Sequence, residues 1–571
     1  MFIVPKLQLS NMLHAEGPLL TVDVGERETT TTDVDDVLAS FVGGRGVATK
    51  LAHDRIPFDA DPFGPENSLF FTTGPLQMST MSFTGRMNCT GLSPLTGGLL
   101  SSNAGGFLSR NFTGTGYAAV EITGESDDLV AVHVTDDGVE FEDVPELAGA
   151  TVGETGEYAA DEHGFGDDQL AVAGPAGENR VRFAAIMTTE HRAFGRGGLG
   201  AVLGGKNVKY VAFAGDSAPD VDVDPVAMDV HREAATADDH PMKEAGTTSV
   251  TEYANHVGAL PSYYFSELEF DGAADIGGEA VSEKKYKKGT CSQCAFACKL
   301  PTRDEETGLE TEGPEYETVM AFGSNSGVDD VVSVMKSNDL CDELGMDTIS
   351  CGDAVAAYLA ANDEFGNSDL IHDLVEKIAY REGDGDLLAE GVHRFADDLG
   401  VEDWTVKGLE FAAHDGRTLN GQGLAFATAN RGADHMYAEF YSKEYPLVDK
   451  DEAVDPEGLD GKPPLVVEKE NHNAVLDSGV VCKFSRDFMT EERLEALLDA
   501  DYDDLQAMGA RVVELERHFN NRRGFDRADD ALPYDLPGFE DALSEYYEVR
   551  GWNDDGTVPD GRISGAASAD D

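Results

Sequence analysis

The chain has 571 residues and sets 42 basic side chains against 109 acidic ones, a net charge of −67. That imbalance excludes a phosphate-neutralising nucleic-acid binder and a protein that clings to anionic lipid, since both need a basic face. Disorder is excluded as well, because 41% hydrophobic residues, with 28 Phe and 17 Tyr, supply a large core.

The acids are spread through the chain, as at Asp127-Asp128, Asp167-Asp168 and Asp499 to Asp504. Such a surface fits a high-salt cytoplasm, where screening over a few ångströms removes most self-repulsion and halophilic proteins hold water on carboxylates. No apolar run approaches the roughly 18 residues of a membrane span, and Met1 to Lys6 lacks the pattern of an export signal. The expectation is a soluble cytoplasmic protein with neither nucleic acid nor membrane as partner. At roughly 100 to 200 residues per domain the length allows about three domains.

In chain order, the first 215 residues are rich in short β-branched and aromatic runs: Leu69 to Thr73, Ala118 to Thr123, Leu129 to Val134, Val181 to Thr189 and Val208 to Ala214. Bounded by glycines, these predict strands. From about residue 220 the pattern turns helical. A helix is predicted from Asp329 to Leu344, ending at Gly345 as a left-handed terminator. Another follows from Leu505, Met508, Val512, Leu515 and Phe519, which share one helical face. Polar stretches at 216–224 and 416–423 mark boundaries, dividing the chain into 1–215, 216–415 and 416–571. The overall expectation is an α+β protein, a β-rich domain followed by two mostly helical ones, with a frayed tail at 554–571.

Three of the seven cysteines form Cys291-x2-Cys294-x3-Cys298, a spacing that wraps three thiolates around one metal centre. An odd total argues against a disulfide framework. Zinc and an iron-sulfur cluster both need a fourth ligand, and no Cys or His soon follows Cys298. A cluster more readily recruits a distant thiolate, leaving Cys341, Cys351 or Cys482. A protein with one such cluster needs a second redox centre for two-electron chemistry. Glycine-rich segments offer room for one: Val42-Gly-Gly-Arg-Gly46, Ser101-Ser-Asn-Ala-Gly-Gly106 and Arg192-Ala-Phe-Gly-Arg-Gly-Gly-Leu-Gly200. In each, backbone N–H groups can approach phosphate, and Arg192 and Arg196 add fixed charge.

Taken together, these segments resemble the aldehyde:ferredoxin oxidoreductase family of tungsten (or molybdenum) bis-pterin enzymes. The resemblance runs through Gly64-Pro-Glu-Asn67, Ser93-Pro-Leu-Thr-Gly-Gly98, Gly313-Pro-Glu-Tyr-Glu-Thr318, Asp342-Glu-Leu-Gly-Met-Asp-Thr-Ile-Ser350, Asn430-Arg-Gly-Ala-Asp-His435 and Asn521-Arg-Arg-Gly-Phe525. It implies a β-rich base beneath the pterins and helical domains closing over them. It implies a [4Fe-4S] cluster on Cys291, Cys294, Cys298 and Cys482, with Cys341 and Cys351 as packed helical residues.

The first pterin motif is matched by Asp342, Gly345, Met346 and Asp347. The second, from Asp477 through Val481 to Cys482, departs from the pattern, with Val480 where glycine is expected and Gly479 one place early. Arg86 resembles the arginine between pterins and cluster. Asn103 and Ala193 match positions whose carbonyls approach a Mg²⁺ bridging the pterin phosphates, which Gly105, Arg192, Gly195 and Arg196 would line. Proton handling falls to His435 with Glu317 or Glu315. The implied reaction oxidises an aldehyde to the carboxylic acid, with electrons leaving to ferredoxin. Within the same fold an oxo acid or aromatic acyl substrate is an alternative; outside it, a non-enzymatic iron-sulfur or zinc protein. A homodimer is compatible with the family. The Glu390-x-x-His393 pair matches a subunit-bridging iron motif only by spacing, and that site is not carried over.

Overall fold

The computed structural model describes residues 12–563 apart from 190, 218, 220 and 446–452. Two six-stranded sheets form the first part of the chain. In the first, β1 (Leu19–Asp23), β2 (Glu28–Thr32), β3 (Leu69–Thr72), β4 (Arg86–Leu92), β5 (Leu99–Gly105) and β6 (Ala119–Thr123) lie in the order β2-β1-β6-β3-β4-β5. In the second, β7 (Val130–Thr135), β8 (Gly138–Asp143), β9 (Leu170–Ala173), β10 (Ile186–Thr188), β11 (Arg192–Phe194) and β12 (Val208–Ala214) lie in the order β11-β10-β9-β12-β7-β8.

Burial follows position in the sheet. Central β3 (Leu-Phe-Phe-Thr) and β9 (Leu-Ala-Val-Ala) are buried along their length, whereas edge strand β2 is Glu-Thr-Thr-Thr-Thr and wholly exposed. The sheets share an apolar layer in which Phe71 meets Phe194 and Phe213 edge-on, with ring centroids 5.7 Å apart in both pairs. This packing sets the edge strands β5 and β11 against each other. The ends of those two strands carry the site.

The segment 181–189 is a strand only over Ile186–Thr188. Its first half turns instead: Ala184 N–H donates to Val181 O at 2.9 Å, and Ala184 bridges to Met346. Tertiary pairing there overrides β propensity. Beyond residue 225 the chain is mainly helical. The Val331–Leu344 helix is capped by Asp330, whose carboxylate accepts from Val332 N at 3.0 Å, and it ends at Gly345 with φ 80°. The Lys462–Ser478 and Tyr502–Arg522 helices pack closely, a Cβ on Gly509 meeting Asn471 O at 2.2 Å, and the Gly44–Arg55 helix lies against both. Residues 554–563 are docked rather than frayed: Arg511 donates to the carbonyls of Arg562 and Ile563, and Val558 is buried. The tail beyond 563 lies outside the described residues. No helix among the described residues is long and apolar enough to cross a membrane.

Candidate active site

Between the β-rich part and the helices lies a cavity of two lobes, about 280 and 180 Å³. Arg86, Asn103, Gly195 and Ile349 line both lobes and form their common wall. The four motif cysteines, Arg86, Asn103, Gly105, Arg192 to Arg196 apart from Phe194, Asp342, Met346, Asp347, Asp477, Val481 and the three proton-handling candidates line one lobe or the other, whereas Gly345 and the Gly43 to Gly46 segment line neither.

The larger lobe holds the four thiols of Cys291, Cys294, Cys298 and Cys482. The cysteine loop can lie on β4 and β5 because Gly85 and Gly105 lack side chains. A Cβ on Gly105 would stand 3.3 Å from Cys291 Sγ, and one on Gly85 would stand 2.9 Å from Ser292 N. Cys482 arrives from 184 residues beyond Cys298 in the chain and is tied down by its N–H donating to Phe83 O at 2.7 Å. Burial, reinforced by the neighbouring thiols, raises the Cys298 pKa well above the ordinary thiol value and that of Cys294 to a lesser degree. Cys294 and Cys298 become stable thiolates only around added positive charge. Among the described residues, the one set of three or more His, Cys, Asp or Glu ligand atoms within 4.8 Å of one another is His133, Glu142 and His163, so the four thiols are more widely spread than that. A single tetrahedral zinc needs its sulfurs only about 3.8 Å apart. Cys89, Cys341 and Cys351 are buried elsewhere, the last two in the Val331–Leu344 and Thr348–Asn362 helices.

Arg86 stands in the shared wall. Burial opposes its charge, yet Cys482, Cys291 and Asp477 overcome that and raise its pKa. Arg192 donates to Glu312 at 2.8 Å and lies 3.6 Å from Glu315, while its Nε is buried without a hydrogen bond. Ala193 pairs with Met187 across the β10–β11 hairpin, and Gly195 leaves the wall thin, no atom lying closer than 3.9 Å to a Cβ placed there.

The two predicted aspartates of the first motif behave differently. Asp342 is buried, receives Asn338 Nδ2 at 3.1 Å, and is raised well above the usual carboxylate range by burial, against the pull of Arg192. It is an acceptor short of donors, suited to a ligand edge bearing two N–H groups. Asp347 instead caps the Thr348–Asn362 helix, accepting from Ile349 N at 3.2 Å and Ser350 N at 3.3 Å. Arg196 serves Asp347 at 3.3 Å and the carbonyls of Ala433 at 3.0 Å and Glu410 at 2.6 Å. Each of its three nitrogens thus donates to protein, which makes Arg196 a strut of the wall. Met346 is buried at the bridge to Ala184.

In the smaller lobe Asp477 is held by Asn103 Nδ2 at 2.8 Å, Lys483 Nζ at 3.0 Å and Arg45 Nη1 at 3.2 Å. Arg45 also makes a two-pronged bond to Glu516, at 2.7 and 2.8 Å, and lies 3.6 Å over the Tyr437 ring. The Gly43-Gly-Arg-Gly46 segment is therefore a docking turn and not a phosphate cradle. A Cβ on Gly44 would meet Asp477 O at 2.1 Å, and one on Gly46 would meet Ser478 Oγ at 2.8 Å. Val481 lines the lobe, and its N–H donates to Leu476 O at 2.8 Å. The departure in the second motif resolves as a backbone finding: Val480 takes φ 52° at the position where the motif leads one to expect glycine, and Gly479 is an ordinary helical terminus. The buried methyls of Val480 face Gly44 and Gly74, whose missing side chains leave them room.

The carboxylate pair also separates. Glu315 precedes the Tyr316–Phe322 helix and is fixed by the Thr247 hydroxyl and Arg192. Glu317 accepts from Ala413 N at 2.8 Å with one oxygen. The other lies 3.3 Å from His435 Nε2 and 3.9 Å from His414 Nε2. That second oxygen and His435 Nδ1 are buried without an aligned hydrogen bond. Burial, with His435 close by, holds His414 well below the usual histidine pKa; it stacks on Tyr441 with ring centroids 3.7 Å apart. Motif reading missed His414, Arg45, Lys483, Arg431 and Tyr437. None of them has a local spacing that marks it, and only Arg45 and Arg431 lie inside quoted motifs. Glu390 and His393 have separate partners, Arg182 and Asp403, at 2.6 and 2.7 Å.

A deep cavity furnished with converging thiols, buried cations and a carboxylate–imidazole pair is the interior of a cofactor-dependent oxidoreductase. Family models agree along the chain: "Aldehyde ferredoxin oxidoreductase, N-terminal domain" matches residues 19–215, and "domains 2 & 3" of the same family match 226–564. The tungsten-containing aldehyde ferredoxin oxidoreductase of Pyrococcus furiosus is 33% identical over 95% of this chain and 97% of its own; that of Thermococcus kodakarensis is 34% identical with the same coverage. The solved BamBC active-site complex of benzoyl coenzyme A reductase shares the fold, with a TM-score of 0.81, 21% identity and 97% of each chain covered. The chain belongs to the aldehyde ferredoxin oxidoreductase family and is an oxidoreductase.

Proposed function

We propose that the protein oxidises an aldehyde with water to the carboxylic acid, releasing two electrons and two protons, and passes the electrons to ferredoxin. The observation that carries this reading is the convergence of the four thiols and the Glu317–His435 pair on one two-lobed cavity divided by Arg86. A tungsten (or molybdenum) bis-pterin in the two lobes would supply the two-electron oxidation, and a [4Fe-4S] cluster the one-electron exit. That no three of the thiols lie within 4.8 Å of one another favours that cluster over a single zinc.

The chain's own residues have assignable tasks. Asp342 in the larger lobe and Asp477 in the smaller would accept hydrogen bonds from the pterin edges, and Val481 lines the second lobe. Arg86 holds positive charge between thiolates and pterins. Arg192, Gly105 and Gly195 would hold the pterin phosphates, and Asn103 and Ala193, on the adjoining strands β5 and β11, would hold a Mg²⁺ between them. Glu317 accepts the proton lost as water adds to the carbonyl carbon, and His435 hydrogen-bonds the carbonyl oxygen and passes protons on. Glu315, tied to Arg192 and Thr247, is a positioning residue.

The test begins with metal content: tungsten or molybdenum with about four irons per chain is expected, and zinc alone would sink the proposal. Glu317→Gln and His435→Ala should keep those metals while turnover falls by about 10² to 10⁴. Near-normal aldehyde oxidation in both variants would overturn the assignment.

A further inference from the structure

At the far edge of the second sheet from the active site, three side chains without a role in the proposed reaction converge. His133 lies on β7, Glu142 on β8, and His163 is the last residue of the Val152–His163 helix. Oε2 of Glu142 is 2.8 Å from His163 Nε2 and 3.6 Å from His133 Nε2, and all three ligand atoms fall within 4.8 Å of one another. These contacts are not hydrogen bonds: Glu142 Oε2 is buried and accepts none. We propose that His133, Glu142 and His163 bind a divalent cation of the zinc type.

The chemistry and geometry of the set agree. Two imidazole nitrogens and one carboxylate oxygen suit a borderline cation such as Zn²⁺ better than Ca²⁺ or Mg²⁺, which take oxygen. A tetrahedral ion with bonds of about 2.1 Å holds its ligand atoms roughly 3.4 Å apart, between the two distances seen here. The carboxylate is already oriented, for the Tyr158 hydroxyl donates to Glu142 Oε1 at 3.1 Å and leaves Oε2 turned to the imidazoles. Phe165 and Tyr210 pack against His133, with ring centroids at 5.1 and 5.6 Å, and shelter the site. The Tyr210 hydroxyl, 2.9 Å from His133 Nε2, is the group an arriving ion displaces there. His163 sits at a helix C-terminus, where the helix dipole favours a cation, and Gly164, with φ 73°, turns the chain away.

The site is a clamp and not a second reaction centre. Strands β11 and β7 are four places apart in the sheet order, roughly 20 Å at ordinary strand spacing. An ion there pins the Val152–His163 helix to the β7–β8 hairpin across an otherwise repulsive acidic surface.

The test uses the holoenzyme, incubated with excess Zn²⁺ in molar NaCl to screen non-specific carboxylate binding, then desalted and assayed for zinc by mass spectrometry. Wild type should retain about one more zinc per chain than either His163→Ala or Glu142→Gln, with nitrogen and oxygen neighbours in X-ray absorption and a raised midpoint of thermal unfolding. Both variants should keep wild-type aldehyde oxidation, and circular dichroism checks that each is folded. Equal zinc in wild type and both folded variants, or sulfur ligation of the bound zinc, would overturn the proposal.

Discussion

Replacing Gly44 by alanine adds one methyl group at the seam between the first helix of the site and the second pterin segment. The residue has φ 40°, and its new Cβ would lie 2.1 Å from Asp477 O, 2.9 Å from Ser478 O and 3.0 Å from a Val480 methyl. Left-handed backbone costs an L-residue about 1–2 kcal/mol, and overpacking a closed site costs about 1–3 kcal/mol more. The seam cannot yield cheaply. Asp477 and Ser478 end a helix of 17 residues, and the Asp477 carboxylate is held by Arg45, Asn103 and Lys483. Gly97→Ala is the control, with φ 78° and nothing within 4 Å of its Cβ, so only the backbone cost of about 1–2 kcal/mol applies. Thermal unfolding followed by circular dichroism, alongside tungsten and molybdenum analysis, reads both. Gly44→Ala should unfold at clearly lower temperature than Gly97→Ala and lose metal; equal midpoints with metal retained would refute the packing described at this seam.

Other outcomes follow from the same contacts. Cys482→Ser should lower iron content and abolish the native cluster signal in electron paramagnetic resonance, whereas Cys341→Ala, in the core of its helix, should leave iron unchanged; iron loss in both would place the fourth ligand in doubt. Glu315→Gln should cost turnover far less than Glu317→Gln, and the reverse order would exchange their roles. Burial, aided by His53 and Arg522, pushes His518 down to about 4 from 6.5. Below pH 6.5 the unfolded chain therefore binds a proton that the native imidazole refuses, and the stability present above that pH is lost as pH falls toward about 4. Comparing unfolding midpoints at pH 7.5 and 5, His518→Gln should lose less than wild type, and an identical loss would show that His518 does not carry this slope.

Local pattern alone determined a good deal about this protein. The change from β-branched runs to helical periods near residue 220, the left-handed Gly345 and the three-cysteine loop all depend on residues within a few turns of one another, so their spacing is legible in the chain. Tertiary structure decided the rest. Glu315 and Glu317 stand two residues apart in one motif, yet only packing against Ala413 and His435 puts one between imidazoles while Thr247 and Arg192 claim the other. Asp342 and Asp347 likewise share a motif and line the same lobe, but Asp347 also spends its carboxylate on capping a helix. Arg45 became part of the site through Asp477 and Glu516, 432 and 471 residues away. Against a charge of −67, Arg86, Arg192 and Arg196 are marked by their motifs, but Arg45, Arg431 and Lys483 stand out only after folding, because desolvation makes each one costly unless partners are brought to it.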